Sequence, residues 1–135
     1  SMLEGECARS SATKASAADL ERLRAIHTDL ENAAAAGDID GFFEANQAFH
    51  LALQEIADNR WLLQVIEDLR KVIKLSRHHS LFSEGRLAQS LAEHRDILQA
   101  LLARDAARAE TLMRAHILSG RAALARIADA KTQAA

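Results

Sequence analysis

Proline is absent from this sequence, and its 135 residues include only five glycines, one cysteine and a 4% share of aromatic residues. Without proline nothing forces a helix to break, and few glycines leave few cheap turns. Alanine and leucine dominate, so the composition predicts helices throughout. A lone Cys7 cannot close an internal disulfide, which points to a reducing, cytoplasmic setting. No apolar run approaches the ~20 residues of a membrane span, and no signal peptide is visible. The formal charge of −2 gives no electrostatic case for nucleic-acid binding by this segment. Also missing are a Gly-rich phosphate loop, a cysteine pair and a nucleophile elbow. The length suits one domain, 1–135, with a real core. Ser1-Met2 reads as an expression remnant, and Leu3 starts a helical pattern with no capping residue ahead of it. The first helix is therefore expected to be truncated from something longer.

Period and punctuation predict an all-α, antiparallel bundle of about six helices. The first, about Leu3 to Thr13, is short and weakly patterned. Ser16 and Asp19 resemble an N-cap with an acidic first turn, opening a helix through Leu20, Leu23, Ile26 and Leu30 that Gly37 stops. Asp38 caps a third helix with the stripe Ile39, Phe42, Asn46, Phe49, His50, Leu53 and Ile56, and Asn59 marks its break. A fourth is expected from about Arg60 to His78, with Leu63, Ile66, Arg70, Ile73 and Arg77 on one face, before a loop from Ser80 to Gly85. The fifth, about Arg86 to Ala103, carries Leu87, Leu91, His94, Leu98 and Leu101. Asp105 caps a long sixth on which Ala109, Leu112, Met113, His116, Gly120, Ala123 and Ile127 share a side.

Histidines 50, 94 and 116 thus stand where leucines should, on the apolar stripes of three different helices. A buried, unpaired polar group costs about 1–3 kcal/mol, so each imidazole needs a partner. A single one is ordinarily satisfied by a neighbouring hydrogen bond. Three on three stripes suggest a shared divalent metal. Asn46 lies one turn before His50 and can offer a carbonyl oxygen on the same face. His94 and His116 are 22 residues apart, a separation that suits facing positions across the short Arg104-Asp105 turn. Three nitrogens and one oxygen leave open positions on zinc, nickel, manganese or iron.

Arg70 and Arg77 repeat at seven residues on a buried face. Either they snorkel to water or they aim into a cavity, where they would grip a carboxylate bidentately. Arg86 and Gln89 are further candidates for that cavity. His27 sits at a stripe edge and His78 and His79 at a helix end, where solvent or a local bond satisfies them. Glu21, Arg22, Arg24, Asp29 and Glu31 read as a solvated face, and Cys7 as a small core residue with no activating base. Glu44, Glu55 and Glu93 fall beside or away from the metal-facing positions, so the stripes offer no obvious general base.

The string ANQAFHLAL, the ADN break and GRLAQSLAEHRDILQALLARDAARAETLMRAHI together resemble the C-terminal effector-binding (FCD) domain of FadR-like GntR-type transcription regulators. The likeness spans about Ala18 to Leu124 and rests on N-x-x-F-H, E-H-x-x-I-L and M-x-x-H-I in this order. It implies a metal held by Asn46, His50, His94 and His116, a small organic acid as effector, a homodimer, and DNA binding only through an N-terminal winged helix-turn-helix that this chain lacks. Many metal-binding relatives carry Asp where this chain has Asn46. A neutral amide leaves more of the ion's charge for an anionic ligand. Two rival readings stand beside the sensor: a small helical metalloenzyme whose open metal position activates water, and a purely structural dimerisation module.

Overall fold

The computed structural model describes residues 2–58 and 85–134, which form five helices: α1 (Met2–Lys14), α2 (Ala17–Ala36), α3 (Ile39–Ala57), α4 (Arg86–Leu102) and α5 (Ala106–Ala134). The expected helix from Arg60 to His78 and the loop after it lie outside the described residues, Gly85 excepted.

Local chemistry sets the helix ends. Ser16 and Asp19 close a capping box: the Asp19 N–H donates to Ser16 Oγ at 3.0 Å and the Ser16 N–H to Asp19 Oδ2 at 3.0 Å. Replacing Ser16 with alanine should therefore cost about 1 kcal/mol, read as a drop of a few degrees in melting temperature. An unchanged midpoint would show that the cap adds nothing here. Gly37 ends α2 in the left-handed region at φ 67°, and the Asp38 N–H reaches back to the Ala33 carbonyl at 2.9 Å. Asp38 then caps α3 by accepting from the Gly41 N–H at 2.9 Å, and a Cβ at position 41 would collide with that carboxylate. The break after α3 falls on Asp58, left-handed at φ 53°, one residue before the Asn59 expected from the sequence. Asp105 caps α5 through the Arg108 N–H at 3.1 Å.

The first helix is a tightly packed element, contrary to its weak pattern. Cys7, Ala8, Ser11 and Ala12 are all buried, as is Ala15 just past its end, and Ser11 Oγ donates to the Leu53 carbonyl of α3 at 2.9 Å. Small side chains let its backbone come close to α3 and α5, a kind of packing that hydrophobic periodicity under-reports. Cys7 is 3% exposed, as expected of a core residue.

Among the described residues two large apolar clusters and a small Cys7–Ala57 contact pack the bundle. One joins Leu30, Ala33, Phe42, Phe43, Ala45 and Leu91. The larger gathers Leu23, Phe49, Leu53, Ile97, Leu101, Ala109 and Met113 with the small residues of α1. On α3 the first ends at Ala45 and the second begins at Phe49; on α4 the boundary falls between Leu91 and Ile97. Asn46 and His94 occupy that boundary.

Candidate metal centre

Burial takes His50, His94 and His116 to 2%, 0% and 4% exposure. They converge. One ring nitrogen from each lies within 4.8 Å of the others. The His50 and His116 rings stack at 5.4 Å between centroids, 8° from parallel, and His94 meets His116 edge-on at 4.5 Å. α4 and α5 set the second pair, because the short link at Arg104, left-handed at φ 59°, turns the chain so that the two stripes face each other.

Asn46 joins them: its Oδ1 lies 2.6 Å from His94 Nε2. A carbonyl oxygen only accepts, so Nε2 carries the proton in this arrangement. His94 Nδ1 is then a buried nitrogen with no hydrogen-bond partner. Burial pushes His94 well below the usual histidine range, helped by the nearby charges of His116, His27 and Arg86. A neutral imidazole is the form a metal requires. Phe49 stacks on the same ring, 5.0 Å between centroids and 24° from parallel.

Sequence reasoning set Glu93 aside, and the structure corrects this. Glu93 Oε1 accepts from Arg86 Nη1 at 2.8 Å and sits 3.2 Å from His116 Nδ1. Burial would raise this carboxyl, but the hydrogen bonds from His116 and Arg86 outweigh it and hold the group below the usual carboxylate range. An ionised carboxylate can only accept, so His116 donates from Nδ1. The available signal was Arg86 and Glu93 standing seven residues apart on one helix, opposite charges two turns from each other.

Of the residues expected to grip an acid, Arg86 is buried at 4% exposure, and Gln89 is exposed on α4. Arg70 and Arg77 lie outside the described residues, as do His78 and His79. His27 contacts Glu31 Oε1 at 3.1 Å through Nε2, one turn along α2. That matches the local bond expected of it. Glu31 is no bystander on the solvated face: Arg95 of α4 grips it with two hydrogen bonds of 2.6 Å.

Residues 1–119 match the FCD domain family. The chain belongs to the FCD family. Among relatives of this FCD domain is the HTH-type transcriptional regulator LutR of Bacillus subtilis (strain 168), 32% identical over 121 residues, covering 86% of this chain and 54% of that protein. The solved structure of E. coli McbR/YncC shares the fold with a TM-score of 0.82 at 21% identity, covering 92% of this chain and 63% of the other. The FCD domain thus spans 54% of the one protein and 63% of the other. These matches bear out the family read from the three motifs and the all-helical fold it implied. Among the described residues no helix is long and apolar enough to cross a membrane.

Proposed function

We propose that this FCD domain is the sensing part of a GntR-type transcription regulator, in which a divalent metal presents a small organic acid to the protein. The observation that carries the reading is the convergence of three buried imidazoles within 4.8 Å. His50, His94 and His116 would supply nitrogens and Asn46 its Oδ1, and the donor set fits. The short Asn46–His94 contact brings an oxygen and a nitrogen donor together, and His94 is held neutral by its burial. Zinc or nickel suits such a set best, followed by manganese and iron(II). Four neutral ligands leave the metal's charge uncompensated by its own donors, so its open positions favour a carboxylate. Arg86 is the cation placed to hold the acid's far end, with Arg70, Arg77 and Gln89 as the other residues assigned to it. Glu93 is committed to both Arg86 and His116, which leaves it poorly suited to act as a general base and supports sensing over turnover.

The parent protein is expected to bind DNA through a separate domain and to pair as a homodimer. Ala115, Ala122 and Ala125 lie exposed along α5 beside Leu118, which is 57% exposed, and this stripe is the surface proposed for a second copy. One set of measurements tests the reading. Metal should co-purify or bind on addition. An ion at a hundred times its dissociation constant adds about 2.7 kcal/mol, roughly 10 °C in melting temperature for a chain this long. Light scattering on the same samples should give a dimer mass. Calorimetry should show organic acids binding the metal-loaded protein and not the stripped one. A melting curve unmoved by zinc, nickel and manganese, together with no metal by elemental analysis, defeats the proposal.

A further inference from the structure

A buried ion pair is a poor way to stabilise a fold, because both charges must leave water and well-packed apolar replacements are often as stable. The Arg86–Glu93 pair is of this kind, its side chains 4% and 20% exposed. Its position gives it another use. Glu93 Oε1 accepts from Arg86 Nη1 on its own helix at 2.8 Å, and the same oxygen stands 3.2 Å from His116 Nδ1 on α5. The carboxylate is thus held from one side by a guanidinium with little room to swing, and it presents its bonded oxygen to a ring of the histidine cluster. A neutral ring that donates from Nδ1 has its lone pair on Nε2, the nitrogen it would then offer to an ion. A fixed acceptor at Nδ1 also fixes how the ring is turned. His94 has no such support on that side, since its Nδ1 is buried without a partner.

We propose that Glu93, held by Arg86, is the positioning residue of the metal centre: it orients the ring of His116 and, through that ring, sets the affinity of the protein for the ion. The inference rests on the metal-centred reading above and adds a residue behind its ligands. The effect travels through the hydrogen bond and not through net charge. Arg86 offsets the charge of Glu93, so the pair puts less field on the cluster than a lone carboxylate would, whereas an imidazole bonded to an anion is a stronger base towards a metal.

The test compares wild type with the double variant Arg86→Leu/Glu93→Leu, which removes the acceptor and its counter-charge together and so leaves the net charge unchanged. Zinc affinity is read by competition with a chelator. It should fall by about 10–100-fold, the usual cost of losing such an outer partner, while the melting midpoint of the metal-free protein stays within a few degrees because the whole pair has gone. Nitrogen NMR of the metal-free proteins at mildly alkaline pH supplies a readout specific to the bond: the His116 ring should carry its proton on Nδ1 in the wild type and shift towards Nε2 in the double variant. Wild-type zinc affinity in the folded double variant overturns the proposal, and so does an unchanged His116 tautomer. If the double variant does not fold, Glu93→Gln decides, since glutamine keeps the shape and loses the charge; a loss of about tenfold or more in zinc affinity supports the role and an unchanged affinity overturns it. Zinc that binds the wild type and the variants equally defeats this inference alone. Zinc that fails to bind the wild type defeats the metal-centred reading, and the positioning role with it.

Discussion

Replacing Phe49 with alanine should destabilise the domain by about 3–5 kcal/mol, the range for truncating a fully buried aromatic ring. Phe49 is 0% exposed and packs in the larger apolar cluster with Leu53 and Ile97. Its other face lies against His94. The substitution therefore opens a cavity in the core and also removes the flat surface that sets the angle of one imidazole. Urea denaturation should show the loss of stability, and metal titration at a urea-free, folded condition should show weaker binding. Phe49→Leu separates the two effects: it restores most of the volume but not the stacking, so stability should largely return while metal affinity does not. A cost below about 1 kcal/mol for Phe49→Ala would mean that the surrounding helices collapse to fill the space.

Acid should weaken the metal-free domain well before any carboxylate titrates. The His94 imidazole is held below its usual range when folded and regains an ordinary value near 6.5 when unfolded. Below that value the unfolded chain binds a proton that the folded one refuses, so stability falls as pH drops through 6.5 and is fully present above it. The slope for one such proton approaches about 1.4 kcal/mol per pH unit. The loss continues until the depressed value of the folded state is reached. Asp19, Glu31 and Glu93, held below their usual ranges by hydrogen bonds, act in a separate window at lower pH, where their protonation removes stability. Denaturation midpoints between pH 7.5 and 5 should therefore fall for the wild type and fall less steeply for His94→Leu. Parallel curves for the two proteins would show that another group is responsible.

What the sequence made legible divides along a physical line. Caps are local, and Ser16 with Asp19, Gly37, Asp38 and Asp105 could be read because a cap and the backbone group it satisfies lie within a few residues. His50, His94 and His116 were legible for a different reason: an imidazole on a leucine stripe is conspicuous. Glu93 was not, because it stands one position and about 100° around the helix from His94. Only the packing of α4 on α5 brings its carboxylate to His116. α1 was misjudged because its buried face is written in alanine, serine and cysteine, which hydrophobic periodicity weights lightly. Arg86 could be named as a cation for the cavity, but nothing in the sequence shows that one of its nitrogens is committed to Glu93.

The alanine face of α1 has a mechanical meaning. A leucine or methionine at an interface can change rotamer and absorb a small displacement of its neighbour; alanine has no such rotamer to change. α1 touches α3 and α5, the two helices that carry His50 and His116, through Ala8, Ala12 and a serine hydroxyl bonded directly to backbone. Contacts of this kind have little slack, so a shift that draws those two helices together would move α1 as a stiff rod instead of being lost in side-chain rearrangement. Among the described helices, the least conspicuous in the sequence is thereby built to carry displacement out of the core.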